Sequence, residues 1–373
     1  MLIFATVAST SAQNPLSLSR EQILLPYTRT DLTSALSVSF RSQAFLKNDE
    51  YFGLITEGYT LFGYWANPGV SYQLSDELNL RVGAWAQKYF GLDSLSKLCP
   101  SYTATYTPSE HFQLELGDVS WEREDIALPL LNEERALISP QHEGLLIRAK
   151  GKRIYSTTWI EWEEFLFAQE NKQEELNLWT NNQLLLVDAD NWKLSLPFQA
   201  VVHHQGGQIN AYPKKPLEMV LNNAAGANLG FTKGKFGFGV NYLFCGYKDL
   251  ASVPYSLYAN GNGHLLSLTG EYNGFTLGYT FWKANQYISS VGTQMFNTVG
   301  DVVGAPYNET YRELSVPYFK YRKQIAEHAV ICAGATGYYD HNNGGLDYYY
   351  WVTIAMNIEK NIRFTHKKQE ASK

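Results

Sequence analysis

Long apolar runs are missing from this chain. No stretch of its 373 residues approaches eighteen consecutive apolar side chains, which excludes an ordinary helical membrane protein. Cysteine is scarce: Cys99, Cys245 and Cys332 are scattered without ligand spacing, and are too few and too odd in number for a disulfide framework. Charge is sparse as well, 18% of residues with a net value of −6, and no basic block occurs before the extreme C-terminus. That balance excludes nucleic acid as a partner.

Aromatic residues, by contrast, are abundant, with 26 Tyr, 19 Phe and 9 Trp, although mean hydropathy is only −0.27. A large soluble core would favour Leu, Ile and Val. Tyr and Trp combine an apolar body with a wet tip and suit a water–lipid boundary. The two classes left are a soluble β protein and a transmembrane barrel, whose signal per strand is weak by nature.

A repeated hairpin rhythm decides between them. Val70–Leu74 and Leu78–Ala84 both alternate apolar and polar residues across the tight polar turn 75–77. The same pattern recurs around 107–111, 151–152, 188–191, 233–234, 272–274 and 324–327, which makes seven short turns. Longer polar or Gly/Pro/Asn-rich segments separate them, near 47–58, 91–100, 121–141, 167–174, 206–223, 248–262, 285–312 and 340–348. With a first strand at Leu36–Leu46 and a last at Tyr349–Phe364, the chain reads as all-β: a transmembrane antiparallel β-barrel of about sixteen strands, with short periplasmic turns and long extracellular loops. Pro68, Pro197 and Pro317 fall inside proposed strands, where each removes a ladder hydrogen bond and leaves the strand limits least secure.

The ends read differently. Residues 1–12 resemble the remnant of a signal peptide, an apolar run closing on small residues before Gln13. Residues 13–33 then form a periplasmic segment, 34–364 the barrel and 365–373 a polar periplasmic tail. The expected location is the bacterial outer membrane. In the last strand Val352, Ile354, Met356, Ile358, Ile362 and Phe364 share one parity, an outward apolar stripe broken only by Lys360.

Glu50–Gly53, Glu57–Trp65, Asn67–Tyr72 and Thr158–Phe165 resemble a family of Bacteroidota outer-membrane, porin-like barrel proteins along most of the chain. The resemblance implies fold and location and attaches no defined substrate. Asp93-Ser94-Leu95 is similar to the O-glycosylation sequon of that phylum and fits the same host.

Parity also sorts the polar residues. A charge on the lipid face at midplane costs roughly 2–4 kcal/mol, so Arg41, Arg81, Arg148, Lys150, Arg153, Glu161, Asn228 and Asn241 are expected to line the pore. The third external loop carries Glu122, Glu124, Asp125, Glu133, Glu134 and Arg135 around an apolar centre and is expected to fold inward as a constriction. The alternative is an exposed, solvated loop. Catalysis finds little support: His203-His204 lacks a third ligand at zinc spacing, Ser267 and His264 differ in parity, and Glu161–Glu164 spreads its carboxylates over both strand faces. The function expected is therefore a non-enzymatic, porin-like channel for passive diffusion of small hydrophilic solutes. No cofactor or metal is expected, and the partners are outer-membrane lipid, those solutes, and a second copy or other envelope proteins. A non-conducting scaffold barrel is the second option and a barrel-wall hydrolase the third.

Overall fold

The computed structural model describes residues 36–120, 125–138, 142–167, 170–207, 216–253, 256–300, 302 and 307–362. Sixteen antiparallel strands close into a barrel in sequence order, β1 (Leu36–Glu50) pairing with β16 (Gly345–Ile362). Between them run β2 (Thr60–Gln73), β3 (Leu78–Tyr89), β4 (Lys97–Ser109), β5 (Phe112–Asp118), β6 (Glu143–Lys150), β7 (Ile154–Glu164), β8 (Glu175–Asp188) and β9 (Trp192–Gln205). The circuit continues with β10 (Glu218–Lys233), β11 (Phe236–Asp249), β12 (Asn260–Tyr272), β13 (Phe275–Asn285), β14 (Tyr311–Ala326) and β15 (Ala329–Asp340). Closure pairs both edges of every strand, the only way a sheet can satisfy its backbone inside a bilayer.

All seven short turns fall where the hairpin rhythm predicts, on one rim, and the longer connections meet at the other. The β12–β13 turn shows why. Asn273 and Gly274 both have positive φ, 50° and 87°, which matches a two-residue turn to the right-handed twist of its strands. The three prolines lie within strands, as expected. Around each, one neighbouring ladder skips a step: Ala66–Ala86 to Gly69–Gly83, Ala225–Phe198 to Asn228–Ser195, and Ser315–Tyr339 to Tyr318–Thr336. The strands continue because the other edge still pairs. The proposed signal remnant, the segment 13–33 and the tail 365–373 lie outside the described residues.

Alternation places Val38, Phe40, Val82, Phe238, Leu268, Leu277 and Tyr279 outward, each more than a third exposed to what would be lipid. Replacing Leu268, in the middle of β12, by Arg is expected to destabilise the barrel by roughly 2–4 kcal/mol. Denaturant titration in lipid vesicles would show it, and an unchanged midpoint would move this face out of the bilayer.

The inner wall changes character along its height. Toward the short turns it is polar, as with Ser37, Ser71, Gln73, Asn79, Ser195 and Ser267. Toward the long loops it is aromatic: Trp65, Trp159, Trp179 and Trp282 are almost completely buried. A sixteen-stranded barrel is wide enough for an aqueous channel, yet here the upper half holds a packed core. The β5–β6 and β13–β14 connections fold into the lumen and bring Ile126, Leu128, Leu130, Leu137, Met295 and Phe296 against those rings. Fully burying a side chain of this size stabilises by about 1.5–3 kcal/mol, so the plug is an integral part of the fold.

Candidate functional site on the outer wall

Charged side chains fasten the plug to opposite sides of the wall. Lys47 on β1 forms ion pairs with Asp49 and with Glu134 of the plug, and sits 4.3 Å from the Tyr349 ring. Tyr59 donates to Glu134 Oε2 at 2.6 Å and Tyr349 to Glu133 Oε1 at 2.6 Å. Arg135 opens the four-residue helix α1 (Arg135–Ile138) and pairs with Glu161, at 2.8 Å, and with Glu163. Burial pushes the Glu134 carboxyl up, but Lys47 and the hydrogen bonds it and Tyr59 supply hold it below its ordinary value. Across the lumen, Gln199 of β9 accepts from the Ala127 N–H at 2.9 Å, and Gln87 of β3 donates to the Leu137 carbonyl at 2.6 Å. His142, Glu161 and Glu163 converge at a spacing that could hold a metal ion, but the Arg135 guanidinium already pairs with both carboxylates there.

Of the residues expected to line a pore, Arg41, Arg81, Arg148 and Glu161 are on the inner side with their charged groups bonded to the wall or the plug. Arg148 pairs with Glu115 at 3.0 Å, Glu161 with Arg135, and Arg41 and Arg81 both donate to Asn67 Oδ1 at 2.7 Å. Asn228 and Asn241 are buried and face each other on β10 and β11. Lys150 and Arg153 sit at the short-turn rim. In the third loop, Asp125, Glu133, Glu134 and Arg135 lie inside the barrel, bound to its wall or to neighbouring loop groups, while Glu122 and Glu124 fall outside the described residues. His203 and His204 point to opposite faces, His203 bonding Asn177 at 2.8 Å, and His264 and Ser267 also lie on opposite faces. The sequon-like Asp93–Leu95 is exposed in the β3–β4 loop.

A reactive arrangement not anticipated from the sequence lies on the outer wall. Ser315 of β14 and His341, just past β15, both project outward near the long-loop rim, with Ser315 Oγ 2.8 Å from His341 Nε2. Tyr279 of β13 brings its hydroxyl within 2.6 Å of the same Oγ. With the imidazole proton on Nδ1, Nε2 accepts from the serine and the tyrosine donates to it. Lys283 and Glu313 form an ion pair at 2.5 Å on the same face, one step closer to the rim. The Tyr339 ring, 5.0 Å away and nearly perpendicular, backs the imidazole, and Phe281 lies 6.3 Å away.

Each member has a local cause. Outward parity on β14 runs Glu313, Ser315, Pro317, Phe319, so the serine follows from the strand period alone. His341 is fixed by the turn that follows β15. Its N–H donates to the Glu313 carbonyl at 3.0 Å, Asn342 accepts from the Glu313 N–H at 3.0 Å, and Asn342 Nδ2 donates to the Tyr311 carbonyl at 3.0 Å. Directly behind, buried Arg312 pairs with Asp340 at 3.1 Å and donates to the Met295 and Asn297 carbonyls of the plug, both at 2.7 Å. The plug therefore braces the hairpin that presents the serine and histidine. Arg312→Met would strand the Asp340 carboxylate and is expected to destabilise by about 3–5 kcal/mol, read as a lowered unfolding midpoint.

A closed sixteen-stranded outer-membrane barrel with a filled lumen and a serine–histidine pair on its lipid-facing wall defines the class of protein. The model of the Lipid A 3'-O-deacylase-type family matches residues 28–366, and the chain belongs to that family. Among solved structures it is similar to a loop L8 deletion mutant of OmpT from Vibrio cholerae, with 11% identity over 87% of this chain and 100% of that one and a TM-score of 0.52. OccK8 (OprE) of Pseudomonas aeruginosa is 8% identical over 88% and 100%, with a TM-score of 0.51. OccAB3 of Acinetobacter baumannii is 9% identical over 87% and 99%, with a TM-score of 0.50. At these identities the likeness shows the fold alone. No curated protein matches the chain in sequence.

Family membership overturns two expectations. The porin-like channel and the absence of enzymatic activity both give way to a family named for a hydrolase, the option ranked third from the sequence. Strand parity does not tell that two loops pack the space inside the barrel.

Proposed function

We propose that this protein is an acyl-ester hydrolase of the outer membrane that removes an ester-linked acyl chain from lipid A. The observation that carries the proposal is the Ser315 Oγ–His341 Nε2 contact of 2.8 Å on the outward face. A lipid held in the bilayer reaches the outer wall and not a plugged lumen. With the long-loop rim outside the cell, the pair lies at the height of the outer-leaflet head groups, where the sugar-linked esters of lipid A sit.

In this reaction His341 takes the Ser315 proton as Oγ attacks the ester carbonyl carbon. The tetrahedral oxyanion needs donors, and the amides of a barrel wall are mostly committed to their ladders. Side chains must therefore supply them, and the Tyr279 hydroxyl is placed to do so. Collapse breaks the C–O bond to the sugar, whose oxygen takes the proton back from His341 and leaves an acyl-serine. Water, deprotonated by His341, then attacks the acyl carbon; the bond to Oγ breaks, Ser315 recovers its proton from His341, and the fatty acid leaves. The resemblance of Glu50–Gly53, Glu57–Trp65, Asn67–Tyr72 and Thr158–Phe165 to Bacteroidota outer-membrane proteins supports a host of that phylum.

Purified protein in mixed micelles with lipid A provides the test. Mass spectrometry should show a lipid A species one acyl chain lighter together with free fatty acid, and a fluorophosphonate should attach covalently at Ser315. Intact lipid A together with no adduct at Ser315 would overturn the assignment.

A further inference from the structure

Beside Ser315 the outer wall carries polar groups that the ester chemistry does not consume. β13 and β14 pair Phe281 with Ser315 and Lys283 with Glu313. The Lys283–Glu313 ion pair therefore stands one row nearer the long-loop rim, about 7 Å above the serine. In the same row β12 sets His264 directly opposite Lys283, and cross-strand neighbours have Cβ atoms about 5 Å apart. The Lys283 and Glu313 side chains are 56% and 38% exposed, and His264 is exposed as well, so a molecule on the outer face can touch all three.

The row is fastened to the reactive pair. The Glu313 carbonyl accepts from the His341 N–H at 3.0 Å, and the Glu313 N–H donates to Asn342 Oδ1 at 3.0 Å. One residue thus holds Lys283 by its side chain and His341 by its backbone. His264 is oriented too: the Tyr242 hydroxyl lies 2.9 Å from Nδ1, and the Phe244 ring meets the imidazole edge-on at 5.3 Å. With Tyr242 donating to Nδ1, the ring proton sits on Nε2 and leaves a second donor in the row. An exposed cross-strand ion pair adds little stability, and charges on a face turned to hydrocarbon are unfavourable. A row of this kind suits the polar head-group layer.

We propose that Lys283, steered by Glu313 and flanked by His264, is the head-group subsite of the Ser315–His341 site and takes a phosphate of lipid A. The proposal rests on the ester-hydrolase reading above. Lipid A is an acylated sugar phosphate, with its chains in the hydrocarbon and its phosphates in the head-group layer. A phosphate engaged one row above Ser315 therefore sets an ester at the height of the serine. Glu313 does not block this, since a lysine ammonium has three N–H donors and the carboxylate accepts one.

Kinetics in mixed micelles with lipid A and with its dephosphorylated counterpart test the subsite. The unmodified protein should show a KM about tenfold lower for the phosphorylated lipid. Lys283→Gln should abolish that preference through KM, with kcat altered by less than about twofold. Lys283→Arg should keep it, as should Lys88→Gln on β3, five strands from β14 around the barrel. Ser315→Ala, which binds without turnover, should retain the phosphorylated lipid in native mass spectrometry better than the dephosphorylated one. Adding Lys283→Gln to it should remove the difference, so recognition is read separately from rate. Equal KM for the two lipids, with acyl release and a fluorophosphonate adduct at Ser315 intact, would overturn the subsite and leave the hydrolase standing. A preference that survives in Lys283→Gln would do the same. Intact lipid A with no adduct at Ser315 would overturn both.

Discussion

Ser315→Ala is expected to lower lipid A deacylation by about 10³-fold or more while leaving the barrel folded, since a nucleophile's removal abolishes covalent catalysis. His341→Ala should lose nearly as much, and the double variant little more than either alone, because the two side chains act as one unit. Tyr279→Phe is the finer probe. It removes one hydroxyl that bonds Ser315 at 2.6 Å, and the loss of one oxyanion donor corresponds to about 10²–10³-fold in kcat. These rates would be measured on lipid A in mixed micelles, with heat-modifiable gel mobility as the check on folding. Full activity of Ser315→Ala would remove the outer-wall site from the reaction, whatever the activity of the unmodified protein.

In planar bilayers the second expected result is silence: no unitary conductance from the unmodified protein. The lumen is crossed by residues 125–138, which bond to β1, β3, β7, β9 and β16, and by the β13–β14 connection packed against them. Thr293 donates its N–H to the Leu128 carbonyl at 2.8 Å and Asn132 its N–H to Val291 at 2.8 Å, so the two loops hold each other as well as the wall. Replacing residues 126–137 by a short Gly/Ser linker removes Leu128, Leu130 and Leu137, all buried. Where the shortened barrel still inserts, it should conduct ions in steps, since a sixteen-stranded wall without its filling encloses water. Steady conductance from the unmodified protein would show that the plug leaves the lumen in a membrane.

The sequence by itself determined the number of strands, their order and the facing of most side chains. Strand period and turn chemistry are local: Asn273-Gly274 sets its hairpin without help from the rest of the chain, and Val38, Phe40 and Leu277 announce the lipid face by alternation. The filling of the lumen had a faint local sign. Around Leu61–Trp65 and Trp159–Ile160 both parities are apolar, which a wet pore would not require, yet nothing in those strands tells which loop packs there. Residues 125–138 enter because Lys47, Tyr59, Tyr349 and Glu161, far away in the chain, offer partners that exist only once the barrel has closed. The serine–histidine pair was hidden for the same reason. Ser315 lies on β14 and His341 just past the end of β15, and their meeting depends on the β14–β15 register, which shifts by a bulge between Gln324 and Ala326 and skips two pairs at Pro317. A one-residue slip would turn one of the two side chains to the other face. Periodicity therefore fixes what a strand shows to lipid, while only the closed tertiary structure decides which reactive atoms come within 3 Å of each other.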